Sequence, residues 1–368
     1  MNWLGKCFCP ICEQALPGRL LVDDHVWLTR RCPEHGLIKT MLFESPSYFA
    51  KAVALGRPSV RQPRCLVIEL TERCDQRCIT CSASSTVMGV EPTAQALIDR
   101  TILEAAALNA DVVALSGGEP LMRRDIWEIA EKLHTKIPKI VLITSGRRFE
   151  SDPAILREIA ARADWLELYL QFDSLRDDVL HSLRSAAVTS ELRRRRLKLS
   201  LDTGAAVSAV CVVPPNIPET DIGELTVFLR EQGAAGVTFQ PLRRLGRYPV
   251  ITTASSRLGT VDFIQRMALE ALGAAPDQAF PFAPQPYDIS VSVVTGRGAV
   301  NADRFFWSGR TEGFRVATSS YWDYSNYFEP LASCGLYYFY MGAQPLNARY
   351  FSPGSPSDAY RTALATTG

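Results

Sequence analysis

Between residues 65 and 245 the sequence switches repeatedly between short runs of Val, Ile and Leu and longer stretches with helical spacing. The runs are CLVIELT (65–71), DVVALSG (111–117), KIVLITS (139–145), LELYLQF (166–172), AAVSAVCVV (205–213) and GVTFQPL (236–242). Among the helical patterns between them are PTAQALIDRTILEAAALN (92–109), RDIWEIAEKLHTK (124–136) and TDIGELTVFLREQG (220–233). A strand that feeds a helix returns to pair in parallel with its predecessor through a right-handed crossover. Strands that are apolar along their whole length need both faces covered. Together these requirements predict an α/β fold, a partial TIM-type (β/α)6 barrel with its chemistry on loops at the carboxyl ends of the strands.

The flanks differ in character. Residues 1–45 are cysteine-rich and punctuated by Pro10, Pro17, Pro33 and Gly36, which marks a small separate module. Residues 46–63 read as a helix and a proline-bounded linker, and the barrel is assigned to 64–275. From 276 to 368 the chain is rich in Ser, Gly, Tyr and Phe, its last lysine being Lys198, and only irregular structure with a few strands is expected.

An apolar fraction of 47% with 21% charged residues is ordinary globular composition. Forty basic against 39 acidic residues leave a net charge of +1, which calls for no nucleic-acid partner. The run RRRRLK (193–198) falls in a helical pattern without interleaved aromatics and reads as a solvated face. There is no basic start followed by an apolar run, and no apolar stretch of about 18 residues, so a cytoplasmic protein without a transmembrane segment is expected. Peripheral membrane contact stays open. In that compartment ten cysteines, most of them before position 82, read as metal ligands rather than disulfides.

Two knuckles supply the first ligand set. CFCPIC (7–12) holds Cys9 and Cys12, and RCPEHG (31–36) holds Cys32 and His35. Two such pairs at this separation match a tetrahedral zinc or mononuclear iron site of zinc-ribbon or rubredoxin-like type. Cys7 competes with His35 for the fourth position, but its spacing from Cys9 is tighter than usual, which favours His35. Four protein ligands make a closed, structural site. His25, His134 and His181 read as surface or capping residues.

The second set is Cys74, Cys78 and Cys81, directly after the first barrel strand. Three thiolates in eight residues can wrap three corners of a [4Fe–4S] cubane and leave one iron open to a substrate. A structural loop that borrows Cys65 or Cys211 is the competing reading. One βα unit later, LSGGEPLMRRD (115–125) places adjacent glycines and Glu119 at a strand end, where amides approach a ligand closely and a carboxylate suits an ammonium group.

These two motifs in successive units resemble those of the radical SAM enzymes. The resemblance implies that Cys74, Cys78 and Cys81 hold a [4Fe–4S] cluster whose open iron chelates S-adenosylmethionine. It further implies that Ser116, Gly117, Gly118 and Glu119 hold the methionine ammonium and that Thr144 and Ser145 meet the ribose or carboxylate. Gln171, Asp173 and Gln240, with the two arginines that follow Gln240, complete the rim. A one-electron reductant such as ferredoxin or flavodoxin is implied, together with a 5′-deoxyadenosyl radical that abstracts hydrogen. Thr80 stands before the last cysteine, where the family often has an aromatic residue. With CPIC and CPEHG ahead of the barrel, the chain resembles the branch that includes archaeal tetraether lipid synthase and proteins described as pterin methyltransferases. That branch implies attack on an inert C–H position of a lipid or other apolar substrate. A maturase of a peptide or cofactor precursor is the alternative, and a degenerate iron–sulfur binding protein a weaker one. Only Cys334 follows Cys211, so the usual auxiliary-cluster cysteines are missing.

Overall fold

Four short strands with alternating burial open the chain: β1 (Trp3–Phe8), β2 (Ala15–Val22), β3 (Val26–Cys32) and β4 (Gly36–Phe43). Side chains on a strand alternate between faces, so one face of this antiparallel meander gathers Leu16, Leu20, Val26, Leu28 and Ile38. The computed structural model describes residues 3–12, 14–55, 65–107, 110–185, 187–242, 247, 257–281, 289–295, 298–301, 313–319 and 338–341. Ser45 caps helix α1 (Pro46–Leu55) by accepting the Tyr48 amide at 3.2 Å, with Pro46 in the first turn where its missing N–H costs nothing. Phe43, Tyr48 and Phe49 then stack the helix on the meander, with ring centroids 5.3–5.9 Å apart.

The repeating region folds as expected from its alternation. Strands β5 (Cys65–Thr71), β6 (Val112–Gly117), β7 (Lys139–Thr144), β8 (Leu166–Gln171), β9 (Ala206–Val213) and β10 (Gly236–Pro241) lie side by side in chain order, all parallel. The crossovers carry α2 (Ala94–Ala107), α3 (Ile126–His134), α4 (Arg148–Ser151), α5 (Ala154–Ala160), α6 (Asp177–Leu183), α7 (Ser190–Leu201) and α8 (Thr220–Glu231), and α9 (Val261–Ala271) follows β10. In α3 the spacing of Ile126, Ile129, Ala130 and Leu133 buries one stripe, while Glu128 and Lys132 pair at 2.7 Å on the exposed side. This is the partial barrel.

The sheet is wider than the sequence suggested. β11 (Ile289–Thr295), β12 (Gly298–Asn301) and β13 (Phe314–Ser319) extend it past β10, and β14 (Tyr338–Met341) pairs in parallel with β5 at the other edge. The tail thus supplies four strands to the barrel sheet among its described residues. Arg315 of β13 reaches across to Glu167 of β8 and, at 2.7 Å, to Ser208 of β9. Together with Tyr169, Thr238 and Ala317 these residues line a small cavity on the inward face of the sheet. No described helix is long and apolar enough to cross a membrane.

The meander docks on α9. Asp262 accepts the backbone amides of Glu44 at 3.2 Å and Ser45 at 2.7 Å, and Glu44 pairs with Arg257 and Arg266. Burial raises the Asp262 carboxyl to about 6, above its ordinary value. A carboxyl raised in the folded state contributes stability that is full below about pH 4 and lost as pH rises through 6. Asp262→Asn keeps an acceptor without the charge. It should remove a pH-dependent term on the order of 3 kcal/mol, so that its urea midpoint relative to wild type rises between pH 4 and pH 7. An unchanged difference across that window would rule out this origin.

Candidate active site

Helices in this fold run back against their strands, so the loops after β5 to β10 share one mouth. The cysteine loop after β5 is lashed to it from several sides. Arg147, at the end of β7, donates to the Asp75 carbonyl at 2.7 Å. Arg247, after β10, donates to the carbonyls of Cys78 at 2.8 Å and Ser85 at 2.6 Å, and its amide donates to Cys81 at 2.9 Å. Thr80 is buried, and both its amide and its hydroxyl donate to the Leu183 carbonyl, at 3.2 and 3.1 Å. Where an aromatic residue was expected, a hydroxyl pins the loop to the end of α6.

Cys74, Cys78 and Cys81 remain half-buried on this loop. Burial raises the Cys74 thiol to about 12, and burial likewise raises Cys78 against the pull of Arg184, whose guanidinium hydrogen-bonds it. A positive metal core is what would make such thiols ionise. Neither candidate fourth ligand can reach them. Cys211 is fully buried in the apolar layer between β9 and the helices, and Cys65 opens β5 at the end opposite to the loop.

The glycine pair ties the end of β6 to the cysteine loop. The amides of Gly118 and Glu119 donate to the carbonyls of Thr71 and Arg73, at 2.7 and 2.8 Å, and so are spent on the cysteine loop. Gly117 has φ +122, and a Cβ on Gly118 would stand 2.1 Å from the Arg73 carbonyl oxygen. Only glycine lets the two backbones run this close. Gly118→Ala should cost about 2–3 kcal/mol in urea unfolding, since the obstacle is backbone rather than a flexible side chain. A loss below about 0.5 kcal/mol would refute that account.

Glu119 is buried between the next two strand ends. Thr144 Oγ1 donates to Oε1 at 2.7 Å, while the Ser145 amide and hydroxyl donate to Oε2 at 3.0 and 2.7 Å. Burial raises this carboxyl, and those three donors oppose the rise. Thr144 and Ser145 thus hold Glu119 in its orientation.

Asp173 is also spent internally. It adopts φ 69 and is gripped by Arg184 at 2.6 and 2.9 Å, by Arg193 at 3.0 Å and by the Val212 amide at 3.2 Å. Burial works against its charge, but Arg184 and Arg193 overcome this and hold the carboxyl below its usual range. Arg193 also binds the Gln171 carbonyl and side-chain oxygens, at 2.8 and 2.9 Å. The arginine run is thus no solvated face: Arg193 and Arg196 are buried, and Arg196 pairs with Glu150 at 3.0 Å. Spacing of three along α7 turns these two inward while Arg194 and Arg195 stay exposed. Ser116 and Gln240 lie half-buried at their strand ends. The two arginines after Gln240 fall outside the described residues, as does Cys334. Arg147, Arg184 and Arg247 escaped sequence reading because each lies far along the chain from the loop it holds.

In the meander, the ligand atoms of Cys9, Cys12, Cys32 and His35 lie within 4.8 Å of one another. Cys12 Sγ to Cys32 Sγ is 3.7 Å, and His35 Nδ1 lies 3.6 Å from Cys9 Sγ and 3.4 Å from Cys32 Sγ. A tetrahedron with metal–sulfur bonds of about 2.3 Å and a metal–nitrogen bond of about 2.0 Å has edges of about 3.8 and 3.5 Å. The donor set fits one ion. Cys7 packs against Gly18 and Leu28 in the apolar interior, and burial raises its thiol to about 11.

Comparison with known proteins agrees with both halves. Residues 68–229 match the model of the Radical SAM superfamily, and residues 5–44 match the HMPTM N-terminal zinc ribbon domain. The 7,8-dihydro-6-hydroxymethylpterin dimethyltransferase of Methanocaldococcus jannaschii is 23% identical over 319 residues, covering 77% of this chain and 62% of that protein. A GTP 3′,8-cyclase of Marinobacter nauticus is 28% identical over 171 residues, covering 45% of this chain and 50% of the cyclase. The chain thus spans between half and two thirds of these curated relatives. Streptococcus suis SuiB bound to S-adenosylmethionine superposes with a TM-score of 0.44 at 18% identity, over 52% of this chain and 44% of SuiB. The chain thus carries a radical SAM domain over residues 68–229, preceded by an N-terminal zinc ribbon domain over residues 5–44.

Proposed function

We propose that Cys74, Cys78 and Cys81 hold a [4Fe–4S] cluster and that the chain uses S-adenosylmethionine to abstract hydrogen from an inert C–H position. The observation that carries this reading is the open-ended loop of three thiols, fixed at the barrel mouth by Arg147, Thr80 and Arg247. When bound, the cluster supplies an electron that cleaves S-adenosylmethionine and yields the 5′-deoxyadenosyl radical. The chain's own residues do the rest. Arg147, Arg184 and Arg247 offset the negative charge of three thiolates. Glu119, aimed by Thr144 and Ser145, offers a carboxylate to the methionine ammonium. Cys9, Cys12, Cys32 and His35 hold zinc or iron as a structural ion, one β4 strand removed from the docking contact at Glu44.

The substrate we infer is polar. Strand alternation turns Glu69, Ser116, Gln171 and Gln240 inward at the mouth, a row that suits hydrogen-bonding groups better than the lipid chain suggested by the branch resemblance. A dihydropterin and GTP, which appear in the names of two relatives, share a 2-amino-4-oxopyrimidine ring, and we take such a nitrogen heterocycle as the substrate class. A one-electron reductant such as ferredoxin or flavodoxin completes the system. Anaerobic reconstitution of the full chain should give about four iron atoms in the barrel. Reductant and S-adenosylmethionine should then yield 5′-deoxyadenosine. Iron loading without that product would defeat the proposal.

A further inference from the structure

Strand β5 presents one acid that the cluster loop does not use. Leu66, Ile68 and Leu70 belong to the apolar layer between sheet and helices, so Glu69 points the other way, into the barrel. It pairs in register with Ser116, just before the glycine pair, and stands five residues ahead of Cys74. Among the described residues its carboxyl takes no hydrogen bond, in contrast to the two other acids of the mouth. Glu119 is satisfied by Thr144 and Ser145, and Asp173 by Arg184 and Arg193. Burial, with the charge of Glu72 nearby, raises Glu69 to about 7. The side chain is half-buried, so its two oxygens stay within reach of donors that a ligand brings to the mouth.

We propose that Glu69 is a substrate-binding residue that accepts the paired N–H donors of the 2-amino-4-oxopyrimidine edge of a planar heterocycle. This rests on the reading of the mouth as a reaction site for such a substrate. A carboxylate is an acceptor-only group with two oxygens side by side. The edge in question presents a ring N–H beside an exocyclic amine, so two parallel bonds form at once, as they do between a guanidinium and a carboxylate. Removing the exocyclic amine removes one donor and leaves one carboxylate oxygen buried without a partner. The inward hydroxyl of Ser116, beside Glu69 in the ladder, and the amide of Gln240 leave further hydrogen-bonding capacity for the rest of the ring.

The test uses reconstituted full-length protein with GTP, ITP and 7,8-dihydro-6-hydroxymethylpterin as probes, by equilibrium binding. GTP and ITP differ only in the exocyclic amine. Wild type should bind the dihydropterin, or GTP, and should bind GTP at least about tenfold more tightly than ITP. Glu69→Gln, which replaces one acceptor oxygen by a donor, should erase that ratio, and Glu69→Asp should retain part of it. Equal affinity for GTP and ITP in wild type, a ratio preserved in Glu69→Gln, or no binding of either heterocycle would each overturn the proposal. Thermal melting and ribbon metal content of each variant establish that it is folded. Formation of 5′-deoxyadenosine is measured in parallel. Cleavage of S-adenosylmethionine by a protein that ignores the probes refutes the role of Glu69 alone. Binding of the probes by a protein that cannot cleave S-adenosylmethionine refutes the radical reading alone.

Discussion

Alanine at any one of Cys74, Cys78 or Cys81 should lower barrel iron from about four atoms per chain to less than one and reduce 5′-deoxyadenosine to background. The ribbon should keep its single ion in the same samples. The two ligand sets are independent because Cys32 and His35 sit at the far end of β4 from Glu44, an extended length of about 27 Å. Among the described residues no spare thiol can rescue the loop. Cys211 is packed behind β9, Cys7 is enclosed in the ribbon, and Cys65 lies at the wrong end of β5. The reciprocal change, Cys32→Ala, should release the ribbon metal and leave barrel iron in place. Because a ribbon of this size leans on its ion for stability, melting should begin earlier in that variant. Metal analysis by mass spectrometry and product assay by chromatography separate the two outcomes. A triple-alanine protein that still makes 5′-deoxyadenosine ends the cluster assignment.

Arg193→Met should be the most damaging single change outside the cysteines, at about 3–5 kcal/mol in urea unfolding. Its side chain is fully enclosed and donates to four acceptor atoms on Ser145, Gln171 and the wholly buried Asp173. Methionine fills much of the volume but leaves Asp173 with Arg184 and one amide, and leaves the Gln171 carbonyl without its donor. Removing one partner of a buried ion pair costs far more than the pair contributes net, since the remaining charge stays out of water. Arg193→Lys keeps the charge but not the planar fork, and should fall between the two. Asp173→Asn combined with Arg193→Met should recover part of the loss. A double variant no better than the single would show that the cost lies in packing instead.

The parts of this fold that were legible in the sequence are those whose cause is local. Strand and helix alternate over spans of about ten residues, so periodicity betrays them. Each knuckle of the ribbon carries its two ligands within four residues, and the cysteine loop carries its three within eight. What escaped depends on partners distant in the chain. Four consecutive arginines look solvated until Asp173 and Glu150 are found 20 and 46 positions away. The hydroxyls of Thr144 and Ser145 suit a nucleoside as well as a carboxylate, and only folding brings Glu119 within 2.7 Å of both. The strands of the tail were hidden for another reason. β12 and β14 have four residues each, too few to establish a period, and β11 interleaves Ser with Val.

The link between Arg315 and Glu167 has a consequence for biogenesis. The two residues are 148 positions apart, and both are buried in the finished barrel. A ribosome adding roughly 5–20 residues per second makes the acid about 7–30 s before its arginine. During that interval the first six barrel strands can pair, yet closing the inward face around Glu167 would bury a carboxylate held by the Ser208 hydroxyl without its guanidinium. The nascent barrel must therefore stay hydrated on that side until β13 arrives, and its last step of consolidation waits for a segment made well after the radical SAM motifs themselves.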